Sequence, residues 1–300
     1  MNNTMRAAAA ATLAFAAAAG QPVGAEPLLA LTADGRLIGF DSATPSVVTG
    51  STAIGGLRGE SLVGIDRRPA DGALYGLSDA SRLYVIDAPT GAAAPVGAAG
   101  AFRLSGGAFG FDFNPTVDRI RVVSDADQNL RLNPNDGTLA ATDGPLAYAA
   151  GDSAAGADPN VVGAAYTNNR PPTPGVTPTT TLYDIDSARD ALVVQNPPNA
   201  GTLNTVGPLG IDVPPALGFD ISGLTGTAYL AFGVPTGPAS ALYRIDLSSG
   251  SAFFLGQIGG APTVIGLAAP VGAAAVPAPA TALLLAAGAL GLVRARRGRA

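Results

Sequence analysis

Short runs in which apolar and polar residues alternate recur along most of this chain, each bounded by turn formers. The clearest is RLYVID at Arg82–Asp87, a period-two pattern that predicts a half-buried β-strand. Ahead of it, LVGID (Leu62–Asp66) and ALYGLSD (Ala73–Asp79) read as two further strands, separated by the loop-forming RRPADG. After it, APTG predicts a hairpin turn and AAAPVG a weaker fourth strand. Four short strands in succession are the unit from which propeller blades are built.

The unit repeats. Its third-strand phrase returns as RLIGFD (Arg36–Asp41), NLRLNP (Asn129–Pro134), TLYDID (Thr181–Asp186) and ALYRID (Ala241–Asp246), five copies with RLYVID. Its first-strand phrase, Gly-apolar-Asp, stands at Gly64–Asp66, Gly110–Asp112 and Gly218–Asp220, with degenerate copies at Gly163–Ala165 and Gly266–Ala268. Successive glycines lie 46 to 55 residues apart, a spacing typical of propeller arrays. The two ends are in complementary phase. The body opens with LLALTADGRLIGFDSATPSVVTG, strands two to four without a first, and closes on VIGLAAP, a first strand with nothing after it. Pairing these ends in one blade removes the open sheet edges of an unclosed array. The pattern therefore predicts an all-β, five-bladed β-propeller over residues 26–270, closed by its N- and C-terminal strands. The fourth-blade copy carries a Pro/Thr-rich insertion, Arg170 to Thr180. Proline cannot donate to a ladder in mid-sheet, so this stretch is expected to be a surface loop.

Composition narrows the chemistry. The chain has no His and no Cys, and all 17 basic residues are Arg. Ser-His-Asp catalysis, thiolate chemistry, zinc-thiolate sites, disulfides and lysine Schiff bases are excluded. Any catalysis would rest on Asp, Tyr, Ser, Arg or a bound hard cation. Five arginines belong to the two ends, which leaves the body with 12 against 22 acidic residues. A body this acidic is a poor partner for nucleic acid.

The ends read as targeting signals. Residues 1–25 place Arg6 before the apolar run Ala7 to Ala19 and a small-residue site ending at Ala25, the expected cleavage point of a secretory signal peptide. Residues 271–300 run through a proline motif (Val276 to Ala280) and an apolar stretch (Thr281 to Val293) into Arg294, Arg296, Arg297 and Arg299. This tail resembles the PEP-CTERM class of bacterial sorting signals in its Pro-Ala-Pro form. It departs from the commonest version at Ala278, where that version has glutamate. The resemblance implies export in a Gram-negative bacterium to the cell envelope or surface, a transient membrane tether, and an exosortase-type enzyme as partner.

The body also resembles a known family. LVGIDRRPADGALYGL, FGFDFNPTVDRIRVVSDADQNLRLNPNDG, YAAGDSAAGADPNVVGAAYTNN and TTTLYDID match bacterial exported proteins grouped as domain of unknown function 4394. That resemblance implies a propeller-like fold and carries no activity or site residues.

Of the carboxylates, Asp66, Asp112 and Asp220 are the candidate ligand-binding residues, since equivalent first strands would bring them together around one axis. They would suit Ca²⁺, although the sequence assigns no cofactor, no metal ligand and no catalytic residue. The competing expectation is that each accepts backbone N–H bonds from the loop after its own strand, because buried carboxylates need such partners. Asp41, Asp87, Asp186, Asp246 and Asn133 are expected to start turns. Taken together, the residues point to an exported, non-enzymatic binding or scaffold module of the cell surface or matrix, with extracellular polysaccharide as a candidate partner. The alternative is an Asp-based, Ca²⁺-dependent hydrolase of carbohydrate or phosphate esters.

Overall fold

Antiparallel pairing sorts the strands into five sheets arranged as blades in a computed structural model that describes residues 24–273, apart from 175, 177–178, 235–238 and 261–262. The predicted signal segment as far as residue 23, and the sorting motif from residue 274 on, lie outside the described residues. The first blade is built from both ends of the chain. Val264–Ala268 is its innermost strand, followed by Pro27–Thr32, Arg36–Asp41 and Thr44–Ala53. Leu29 faces Ala268 and Leu31 faces Gly266 across the closing pair. The second blade runs Leu62–Arg67, Leu74–Ser78, Arg82–Asp87, Ala92–Val96, and the third Phe109–Asn114, Arg119–Ser124, Asn129–Leu132, Leu139–Thr142. The fifth runs Leu217–Ile221, Ala228–Gly233, Ser240–Ile245, Ala252–Ile258.

The fourth blade departs from the expected phase. TLYDID supplies its second strand, Leu182–Asp186, paired directly with the inner strand Val161–Tyr166. Among the described residues no strand forms in the Pro-rich segment between them, so the familiar phrase moves one place inward. Ala191–Gln195 and Thr202–Pro208 complete the blade, and Ala147–Tyr148 adds a short parallel edge strand.

The five inner strands touch one another in cyclic order, the last contacting the first. Burial falls off from the axis outward: Leu74–Ser78 is buried at every residue, whereas Ala92–Val96 is exposed or half-buried throughout. Apolar side chains form five clusters, each spanning two neighbouring blades. Tyr75 against Phe113, edge to face at 5.1 Å, is one such contact. At about 2 kcal/mol for each fully buried large side chain, these interfaces outweigh the turns as the source of stability. Asp41, Asp87, Asp186, Asp246 and Asn133 do accept N–H bonds from the turns that follow them.

After its last strand the chain crosses the end of the ring. Gly223 N–H donates to the Pro270 carbonyl and Gly272 N–H to that of Asn169, both at 2.9 Å.

Candidate functional site

Each inner strand presents the same sequence of positions to the axis. An apolar residue comes first: Val63, Phe109, Val162, Leu217 and Ile265. The glycine follows, and close approach explains it. A Cβ on Gly110 would lie 2.7 Å from Ala164 N, and one on Gly218 only 2.4 Å from the Gly266 carbonyl carbon. The inner strands crowd so tightly that the axial cavity holds about 20 Å³, room for roughly one water. Two positions after the glycine come Asp66, Asp112, Ala165, Asp220 and Ala268.

The structure brings Asp66, Asp112 and Asp220 together as expected. All three are buried, and one oxygen from each lies within 4.8 Å of the others. Their partners differ from the sequence expectation. Asp66 accepts the N–H of the next residue, Arg67, at 2.6 Å, and reaches across to Phe113 N–H of the third blade at 2.8 Å. Asp220 repeats this with Ile221 N–H and, in the first blade, Ala269 N–H, both at 2.6 Å. Asp112 accepts Tyr166 N–H of the fourth blade at 2.9 Å. Five N–H groups at or just beyond the ends of the inner strands, one from each blade, are thus satisfied by three side chains. Where alanine replaces aspartate, at 165 and 268, the aspartate of the preceding blade takes the donor, Asp112 for Tyr166 and Asp220 for Ala269. Six carboxylate oxygens meet five donors, and Asp112 Oδ2 is left over.

Burial sets the electrostatics. It raises the Asp66 carboxyl well above its ordinary range, helped by the Asp220 charge, against the pull of the Phe113 and Arg67 N–H bonds. Asp112 is raised likewise, by burial and then by Asp66 and Asp220. Asp220 is pushed up to about 6 by burial, with the Ala269 and Ile221 N–H bonds opposing. The positive charge of Arg67 acts on Asp66 and Asp220, and its Nη1 donates to the Gly72 carbonyl at 3.0 Å. Burial lowers its pKa, while Asp66 and Asp220 oppose that shift.

A cleft of about 370 Å³ lies at the other end of the axis, where the inner strands begin. Val63, Phe109, Leu217 and Ile265 line its floor, and the loop residues Gly107, Ala108, Pro215 and Ala216 complete it with Asp125. One Asp125 oxygen accepts Gly107 N–H at 2.8 Å. Sequence reasoning did not single out this cleft. The one signal for it was the apolar residue before each axial glycine. Arg170, where the insertion begins, follows the end of an inner strand and bonds to the Gly223 carbonyl, at the carboxylate end and away from the cleft.

The family profile described as Domain of unknown function (DUF4394) matches residues 36–268. The chain belongs to the DUF4394 family. No curated protein matches its sequence. Among solved structures, this DUF4394 chain is similar to a nidogen/laminin complex at 14% identity and a TM-score of 0.44, covering 82% of this chain and 98% of that one. A glutaminyl cyclase from Myxococcus xanthus matches at 13% identity and a TM-score of 0.41, over 80% and 84% of the two chains. Kuenenia stuttgartiensis hydrazine synthase matches at 15% identity and a TM-score of 0.35, over 68% of this chain. The chain spans about half of that protein, 49%. These likenesses are of fold alone and carry no activity to the DUF4394 chain.

Proposed function

We propose that this protein is an exported, non-enzymatic propeller of the Gram-negative cell surface or matrix, held transiently by its PEP-CTERM-like tail, and that it binds its partner in the cleft where the inner strands begin. The cleft carries the reading. Its volume lies in the range of small-molecule sites, and it joins apolar walls to a few polar groups. Phe109 offers an aromatic face and Asp125 an acceptor, with no basic residue in the lining. That combination suits a neutral molecule with an apolar face and hydroxyl donors, and a sugar unit of an extracellular polysaccharide fits the description. Asp66, Asp112 and Asp220 line neither this cleft nor the axial cavity. Five of their six oxygens already serve backbone donors, which argues against them as the acid and base of a hydrolase.

Calorimetric titration with a panel of neutral oligosaccharides tests the reading. Binding is expected to weaken about tenfold in Phe109→Ala and to vanish in Ala216→Arg, which fills the cleft with a charged side chain. A folded protein that binds none of the panel, or binds equally well with Ala216→Arg, sinks it.

A further inference from the structure

The axial carboxylates pose a charge problem that their backbone bonds do not solve. Three fully buried acids share one small space, and among the described residues none of them forms an ion pair. Neutral N–H donors orient a carboxylate but do not cancel its charge, and an uncompensated buried charge is expensive. Asp112 adds a second, separate observation. Its Oδ2 is buried, receives no N–H donor, and belongs to a carboxyl group that faces those of Asp66 and Asp220. An oxygen left open at the centre of an anionic cluster is waiting for a positive ligand.

The geometry selects the ligand's class. Only carboxyl oxygens converge, and in their ionised form these suit a hard cation and not a soft one. Their mutual separations of up to 4.8 Å are about twice a Ca²⁺–oxygen distance of roughly 2.4 Å, so a single ion can touch one oxygen of each side chain. The backbone N–H groups of Arg67, Phe113, Tyr166, Ile221 and Ala269 then act as an outer shell that fixes the ligands. The axial cavity nearby has room for about one water.

We propose that Asp66, Asp112 and Asp220 bind one Ca²⁺ on the axis, joining the inner strands of the second, third and fifth blades. In a chain without cysteine, the ion takes the place of a disulfide staple. It is independent of the cleft, so Ala216→Arg leaves it intact.

Elemental analysis of the purified protein and thermal melts at about pH 7.5 test this. The expected result is close to one Ca²⁺ per chain, a fall in Tm of about 5 °C in EDTA, and recovery on adding Ca²⁺ to about 1 mM. Asp112→Asn keeps an acceptor for Tyr166 N–H and is expected to fold and lose the Ca²⁺ response. Should that variant fail to fold, the wild-type metal content and EDTA melt decide alone. The proposal is overturned by a protein that carries no metal and melts identically in EDTA and Ca²⁺. A Tm that ignores Ca²⁺ and falls as pH rises from about 5 to 8 overturns it too. That result would mean a proton is held instead, since a raised carboxyl pKa stabilises the fold only below it.

Discussion

Asp66 and Asp220 each accept two N–H groups, one in their own blade and one in the next, whereas Asp112 accepts one. The three residues look equivalent in the repeat and are not equivalent in energy. A stranded buried N–H costs about 1–3 kcal/mol. In EDTA, Asp66→Ala and Asp220→Ala are therefore expected to lose about twice what a single stranded donor costs. Asp112→Ala loses least, because it strands one donor and also removes a repelling neighbour. Urea midpoints for the three variants check the ranking, and equal losses would contradict it. Elsewhere, single residues carried structure that their type concealed. Arg121 is fully buried between the third and fourth blades, bonded to Asn129, Asp143, Asn199 and Tyr166. Nothing around it in the sequence separates it from a surface arginine.

At the scale of the strand, the axial glycines set how closely blades approach. Gly218→Ala would drive a Cβ to 2.4 Å from the Gly266 carbonyl carbon, and the backbones must part. The expected cost is about 1–3 kcal/mol, seen as a Tm lower by several degrees. Gly151→Ala, with open space around it, is the control and should change little. The five-fold repeat, the four-strand blade and the convergence of Asp66, Asp112 and Asp220 were legible because each depends on a local phrase recurring at a near-constant period. The fourth blade was misread because the phrase at Thr181–Asp186 kept its pattern while the Pro-rich insertion removed a strand before it. The carboxylates' cross-blade partners were hidden for a different reason. The hydrogen bond that Phe113 N–H donates to Asp66 spans two repeats, and no periodicity within one repeat encodes it. The cleft is hidden in the same way, since its lining comes from loops and strands of four blades.

At the scale of the molecule, closure depends on one short pairing, Pro27–Thr32 with Val264–Ala268. Glu26 reinforces that join from the side, accepting hydroxyl bonds from Ser222, Thr225 and Tyr229 of the fifth blade. A chain ending before Val264 would leave Pro27–Thr32 as an open edge beside an unfilled gap in the ring. It is expected to associate through that edge, eluting in size-exclusion chromatography as a larger species than the full chain does. A monomeric, cooperatively melting truncation would show that four blades and a partial fifth hold without the join. The strand that fills the gap is made long after the one it joins. Synthesis delivers Val264 some 237 residues after Pro27, so no chain that stops short of it can complete the ring. The ring becomes a finished object only when Val264–Ala268 meets Pro27–Thr32, and until then its first blade keeps an edge without a partner.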